Sequence, residues 1–140
     1  MEKIVFTEDI HTFHIDFAGH VSNITYIEWM EIGRLKLLDA IGLPVTRIIE
    51  ELGLVPTLIK TEIQYKKQLF LGDRVRVEMW LSRLRNISAN IDFHFYNSSG
   101  ELTAEGRQTG LFIDRKTHMP TPLNNKAHAG FKRFLAAKKT

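Results

Sequence analysis

Ile24-Thr25-Tyr26-Ile27-Glu28-Trp29-Met30-Glu31-Ile32-Gly33-Arg34-Leu35-Lys36-Leu37-Leu38-Asp39-Ala40-Ile41 is the stretch on which the fold turns. On a 3.6-residue wheel, Tyr26, Ile27, Trp29, Met30, Gly33, Leu37, Leu38, Ala40 and Ile41 take about half the circumference, which predicts a long amphipathic helix. Ile24, Ile32 and Leu35 fall on the other half, so this helix needs apolar cover on more than one side. Such a need fits an element wrapped by a sheet or sealed by a subunit contact. Ser22 or Asn23 is the predicted N-cap, and Gly42-Leu43-Pro44 the stop, glycine closing the last turn and proline blocking continuation.

Downstream, Val45 to Leu52 can form a shorter helix closed by Gly53, and the remainder reads as a meander. Leu54 to Gln68 alternates in part, and Leu71-Gly72-Asp73 turns the chain. Arg74 to Leu81 and Ile91 to Tyr96 then alternate polar and apolar residues, the mark of a sheet with one buried face. Asn97-Ser98-Ser99-Gly100 is a hairpin turn, Glu101 to Ile113 another strand, and Asp114-Arg115-Lys116-Thr117 a further turn. Lys126 to Lys138, with Phe131, Phe134 and Leu135, predicts a terminal helix. Upstream, Ile4, Phe6, Phe13 and Ile15 alternate within Lys3 to Ile15, which reads as one or two extended segments delivering the chain to Asp16. The order strand, loop, long helix, antiparallel strands gives a single α+β domain over residues 1–140.

Composition narrows the chemistry. Of 140 residues 44% are hydrophobic and 25% charged, as in ordinary globular chains. With no cysteine, disulfides, thiolate metal sites and cysteine nucleophiles are excluded. No leader-like or membrane-spanning apolar run is found, so a cytoplasmic location is expected. The formal net charge of +3 owes much to the tail, at Lys126, Lys132, Arg133, Lys138 and Lys139. A solvated helix end explains that charge, and without a recognition motif no nucleic-acid partner is expected.

The segment Asp16-Phe17-Ala18-Gly19-His20-Val21-Ser22-Asn23-Ile24-Thr25-Tyr26, followed by Glu31 and Arg34, resembles the signature of the 4-hydroxybenzoyl-CoA thioesterase-like branch of the hotdog superfamily. Glu62-Ile63-Gln64-Tyr65, Leu71-Gly72-Asp73 and Phe112-Ile113-Asp114 extend the likeness over nearly the whole chain. Ser22 departs from it, standing where the family has the first of two asparagines.

The resemblance implies a hotdog fold, an antiparallel sheet wrapped around one long central helix, and hydrolysis of an acyl-CoA. Asp16 would attack the thioester carbonyl or activate a water that does, since either role needs a carboxylate on a rigid element. The backbone amide of Asn23, at the unsatisfied start of the helix, would stabilise the oxyanion. Taken alone, Asp16 reads as a capping or turn residue. His20 would orient the carbonyl or a water, or simply bond to backbone. Tyr26 and Arg34 lie on the apolar arc, and Arg34 is three residues from Glu31, a spacing that lets them pair. Arg85 matches a position that contacts the nucleotide of CoA, while Asn86 and Ile87 replace other basic positions of that stretch. Tyr65, Phe70, Met30 and Leu58 are candidates for the acyl pocket.

No metal and no cofactor beyond the CoA of the substrate is expected. His11 and His14, three apart in an extended segment, would face opposite sides, and Asp92 with His94 reads as exposed pairing on one strand face. The fold implies a homodimer or homotetramer with sites between subunits. The rival readings are a thioesterase acting on acyl carrier protein and a non-catalytic acyl-thioester binding module.

Overall fold

The computed structural model describes residues 1–137, so Lys138 and Lys139 lie outside the described residues. Strands β1 (Ile4–Asp9), β2 (Leu54–Tyr65), β3 (Arg74–Leu84), β4 (Ser88–Tyr96) and β5 (Leu102–Asp114) form one antiparallel sheet in the order β1-β3-β4-β5-β2. Helices α1 (Asn23–Ala40) and α2 (Val45–Leu52) lie between β1 and β2 in the chain, and α3 (Asn125–Lys132) follows β5.

The ends of α1 show why it spans these residues. Ser22 is the N-cap, its Oγ accepting the Thr25 amide at 3.4 Å. At the other end the Gly42 amide donates to Asp39 O (3.0 Å) and the Leu43 amide to Leu38 O (2.9 Å), with Gly42 at φ +77°. This paired closure needs a left-handed residue just past the helix, which glycine adopts without strain.

Alternation decides what faces α1. Val75, Val77, Met79 and Leu81 of β3 and Ile91, Phe93 and Phe95 of β4 point inward and are buried, as are Tyr26, Trp29, Met30, Leu37 and Leu38 of the helix. Each such large side chain contributes about 1.5–3 kcal/mol by leaving water. The two layers meet closely because glycine stands at the contacts. A Cβ on Gly33 would sit 2.7 Å from Met79 Sδ, and one on Gly106 of β5 would collide with Met30 Cε. Register shifts at Leu58/Lys60, Leu81/Arg83 and Phe95/Tyr96 mark bulges, which increase local twist and curl the sheet toward the helix.

One chain covers only part of α1. Ile24 is 69% exposed, Leu35 40%, and Ile27, which the wheel puts on the apolar arc, 45%. Edge strand β2 likewise leaves Ile59 and Tyr65 exposed.

Two expectations are corrected. Lys3 to Ile15 is not extended throughout: β1 stops at Asp9, and Thr12–His14 forms a 3-10 turn in which the His11 amide donates to His14 Nδ1 at 2.9 Å. The terminal helix stops at Lys132 rather than running on to Lys138. The chain then turns back along β3, the Leu81 amide donating to Phe134 O and the Ala136 amide to Leu81 O. Among the described residues no helix is long and apolar enough to cross a membrane.

Candidate active site

Asp16 sits in a short closed loop at the foot of α1. Its amide donates to His20 O (3.0 Å), its carbonyl accepts from Gly19 (3.0 Å), and Ile15 bridges to Val21. Its carboxylate Oδ1 accepts the Ala18 amide at 2.9 Å, the short-range bond that aspartate makes in turns. Gly19 is at φ +83°, which the tight reversal requires. The loop is tied to the body of the protein by Val21, whose amide donates to Leu69 O (2.8 Å), and by Ser22, whose amide donates to His14 O (2.9 Å). Asp16 is half-buried, so its second carboxylate oxygen is held at a fixed place without being sealed from a ligand.

Asn23 is the first residue of α1 and is exposed. Among the described residues no acceptor takes its amide, as expected of a first helical turn, and the positive end of the helix dipole adds to the field there. The Thr25 amide, by contrast, is satisfied by Ser22.

His20 Nδ1 lies 3.2 Å from Val21 O. A carbonyl only accepts, so Nδ1 carries a proton in this contact, and the neutral tautomer that makes it has Nε2 as an acceptor. In that form His20 can hold a water but cannot donate to a carbonyl oxygen.

Tyr26 and Tyr65 meet edge to face, ring centroids 5.3 Å apart, in a cluster that also holds Trp29 (5.3 Å from Tyr26) and Phe95 (5.0 Å). The Tyr26 hydroxyl is buried and, among the described residues, has no hydrogen-bond partner. Burial pushes its phenol up to about 12, opposed by nearby Thr103, whose own hydroxyl donates to Phe95 O at 3.1 Å. Tyr65 is half-exposed and its phenol is also raised by burial.

Arg85 is exposed in the β3–β4 hairpin, its amide donating to Ser88 O (2.8 Å). It is not beside Asp16. It lies on an apolar groove of about 240 Å³ along the C-terminal half of α1, whose walls include Leu38, Val45, Leu58, Leu84 and Phe112. Asn23 is eleven residues, on the order of 16 Å, from Arg34 along the helix. Within one chain the structure therefore brings together Asp16, His20 and Asn23 by backbone, and Tyr26 with Tyr65, but it sets Arg85 and the groove apart from them.

Other expectations change. Arg34 does not pair with Glu31; its Nη1 donates to Gln108 Oε1 at 2.6 Å. Gln108 is fully buried and its Nε2 donates to Thr61 Oγ1 at 3.3 Å. Met30 is packed in the core at 0% exposure and is not among the residues lining the groove, whereas Leu58 is. His11 and His14 do share a side, rings 5.5 Å apart, because the 3-10 turn folds them together. Among the described residues no three potential metal ligands converge. Asp92 takes both Arg107 (2.8 and 3.0 Å) and Ser82 (2.9 Å) on the outer face of the sheet.

Sequence reasoning missed Leu69, which anchors the loop, and Gln108. Position parity offered a signal for Gln108, since Ala104, Gly106 and Gly110 share its face of β5.

The family model of the thioesterase-like superfamily matches residues 10–135. A putative acyl-CoA thioesterase of Bacillus subtilis, YneP, is 28% identical over 105 residues, 75% of each chain. The 1,4-dihydroxy-2-naphthoyl-CoA hydrolase of Thermosynechococcus vestitus is 23% identical, over 81% of this chain and 79% of its own. The solved DHNA-CoA thioesterase of Staphylococcus aureus superposes with a TM-score of 0.87 at 20% identity, covering 95% of this chain and 91% of that one.

Proposed function

The chain belongs to the thioesterase-like superfamily, and from that premise we propose that it hydrolyses an acyl-CoA to the free acid and CoA, with Asp16 as the reacting carboxylate. The observation that carries this reading is the carboxylate itself: half-buried, one oxygen fixed by the Ala18 amide, at the foot of a helix whose Asn23 amide has no acceptor.

Two routes share that geometry. In the first, the free Asp16 oxygen attacks the thioester carbon, the carbonyl electrons move to an oxyanion held by the Asn23 amide, and collapse expels CoA thiolate, leaving an anhydride that water cleaves. In the second, Asp16 takes a proton from a water held by His20 Nε2 as that water's oxygen adds to the thioester carbon, and the oxyanion collapses to break the C–S bond and release CoA thiolate. Either way the oxyanion donor is backbone, and such donors are typically worth about a hundredfold or more in rate.

The separation of Arg85 from Asp16 within one chain, the bare edge of β2 and the exposed apolar residues of α1 support a site completed by a second copy. In a dimer joined along β2, the two helices would run antiparallel. Each groove and its Arg85 would then approach the partner's catalytic loop, and the Arg85 guanidinium would meet the CoA phosphates.

A hydrolysis screen over acyl-CoA chain lengths, with Asp16→Asn as control, tests the reading. Asparagine keeps the acceptor for the Ala18 amide, so the variant should melt like the parent while turnover falls at least about a hundredfold. Turnover near that of the parent would remove Asp16 from the chemistry. Turnover in ¹⁸O-water tests the first route, because label reaches the Asp16 carboxylate only if water opens an anhydride at the Asp16 carbonyl, and direct attack by water places none on the enzyme.

A further inference from the structure

We propose that the groove beside the C-terminal half of α1 receives the far end of an acyl group that terminates in a carboxylate, with Arg34 as the partner of that anion. The ligand's identity as an acyl group rests on the thioesterase reading; the chemistry of the groove does not.

The groove wall is mostly hydrocarbon, with Thr57, Asn86, Ser88 and His128 among its polar members, and its volume of about 240 Å³ lies just under the ~300–1,000 Å³ of sites for drug-sized ligands. That suits a medium-length chain. The lining holds two arginines, Arg34 and Arg85, of which Arg34 is the less exposed. Its guanidinium spends one donor on Gln108, and among the described residues nothing accepts from the other four. Gln108 is neutral, so it orients the cation without neutralising it, and its own position is set by Thr61.

Glu31 also borders the groove. It is exposed, so water screens it, while Arg34 is half-buried; burial lowers the Arg34 pKa and Glu31 only partly opposes this. A cation in that setting is costly unless an anion meets it. The free edge of a guanidinium whose Nη1 is already engaged matches a carboxylate, which can accept two parallel N–H bonds. A methyl-terminated acyl group offers those donors no acceptor.

The test uses the intact protein and two arms. By calorimetry at pH 7, octanoate should bind at least about tenfold more tightly than 1-octanol, a difference of about 1.4 kcal/mol. Arg34→Met should bring the two to parity, Arg34→Lys should keep part of the preference, and Glu31→Gln should strengthen octanoate binding. In turnover, adipoyl-CoA should exceed hexanoyl-CoA in kcat/KM for the parent, with the ratio falling toward one in Arg34→Met. Equal binding of octanoate and octanol by the parent overturns the proposal without any variant having to fold. So does a carboxylate preference that survives Arg34→Met, or a parent that turns over hexanoyl-CoA as well as adipoyl-CoA. Octanoate selectivity with no turnover of any acyl-CoA would instead uphold the groove chemistry and defeat the thioesterase reading.

Discussion

Arg34 and Gln108 join the middle of α1 to β5 through a hydrogen bond of 2.6 Å, made by a fully buried amide to a charged donor. Hydrogen bonds to charged groups contribute about 1.5–3 kcal/mol, and stranding one partner costs more than removing both. Gln108→Leu should therefore lower unfolding stability by about 2 kcal/mol. The double variant with Arg34→Met should lose less than the sum of the singles, since no guanidinium is then left unpaired. Urea denaturation of the four proteins gives the coupling; additive losses would mean that the two side chains do not depend on each other.

Ser22 stands where the resemblance has asparagine, and it remains a working cap: Oγ accepts the Thr25 amide at 3.4 Å and lies 3.1 Å from Thr25 Oγ1. Ser22→Ala should cost about 1 kcal/mol, the usual price of an N-cap, whereas Ser22→Asn should stay within a few tenths because asparagine caps as well as serine. Thermal melts of both variants check this. An alanine variant as stable as the parent would show that the cap contributes nothing.

Much of the fold was legible in local chemistry. Gly42 and Gly53 marked the ends of α1 and α2, the alternation of Arg74 to Leu81 marked β3, and Asn97 to Gly100 marked the β4–β5 turn; each depends on neighbours in the chain. What was not legible depends on distant partners. The 3-10 turn at Thr12–His14 has the same alternating residues as a strand, and only its ties to the loop after Asp16 reveal it. Leu81 recruits the chain after α3, so the helix ends early although its residues favour continuing. The Arg34–Glu31 pairing was a correct reading of helical spacing, overruled by Gln108 from across the core. Asp16, His20 and Asn23 were legible as a set because they are contiguous in the chain. Arg85 was singled out by the resemblance, and its distance from them could not be read from one dimension.

Ile59, at the bulge of β2, is 61% exposed on a strand whose outer edge has no neighbour among the described residues. Unpaired edges carrying apolar side chains invite another strand. The parent should sediment as a dimer or tetramer at micromolar concentration, and Ile59→Asp should shift it toward monomer with little change in the far-ultraviolet spectrum. If the site is shared between copies, turnover per chain should fall with the dimer and recover at higher protein concentration. A parent that is monomeric at micromolar concentration, yet fully active, would eliminate the shared site.

Tyr26 gives a prediction in the alkaline range. Its phenol is pushed by burial from 10.0 up to about 12, while in the unfolded chain it titrates near 10. Between those values the unfolded state releases a proton that the folded state keeps, so stability falls as pH rises. The contribution is fully present below about pH 10 and is lost through about pH 12, at roughly 1.4 kcal/mol per pH unit. Tyr65, also raised, acts in the same direction and more weakly because it is half-exposed. Tyr26→Phe removes the larger effect together with a buried hydroxyl that has no partner. At pH 7 the variant should be as stable as the parent or more stable by about 1 kcal/mol, and the difference should widen in its favour above pH 10. Urea midpoints from pH 7 to 11.5 measure both, the subtraction of variant from parent cancelling the lysines they share. Parallel curves across that range would mean that the Tyr26 hydroxyl finds water or a partner in the folded protein.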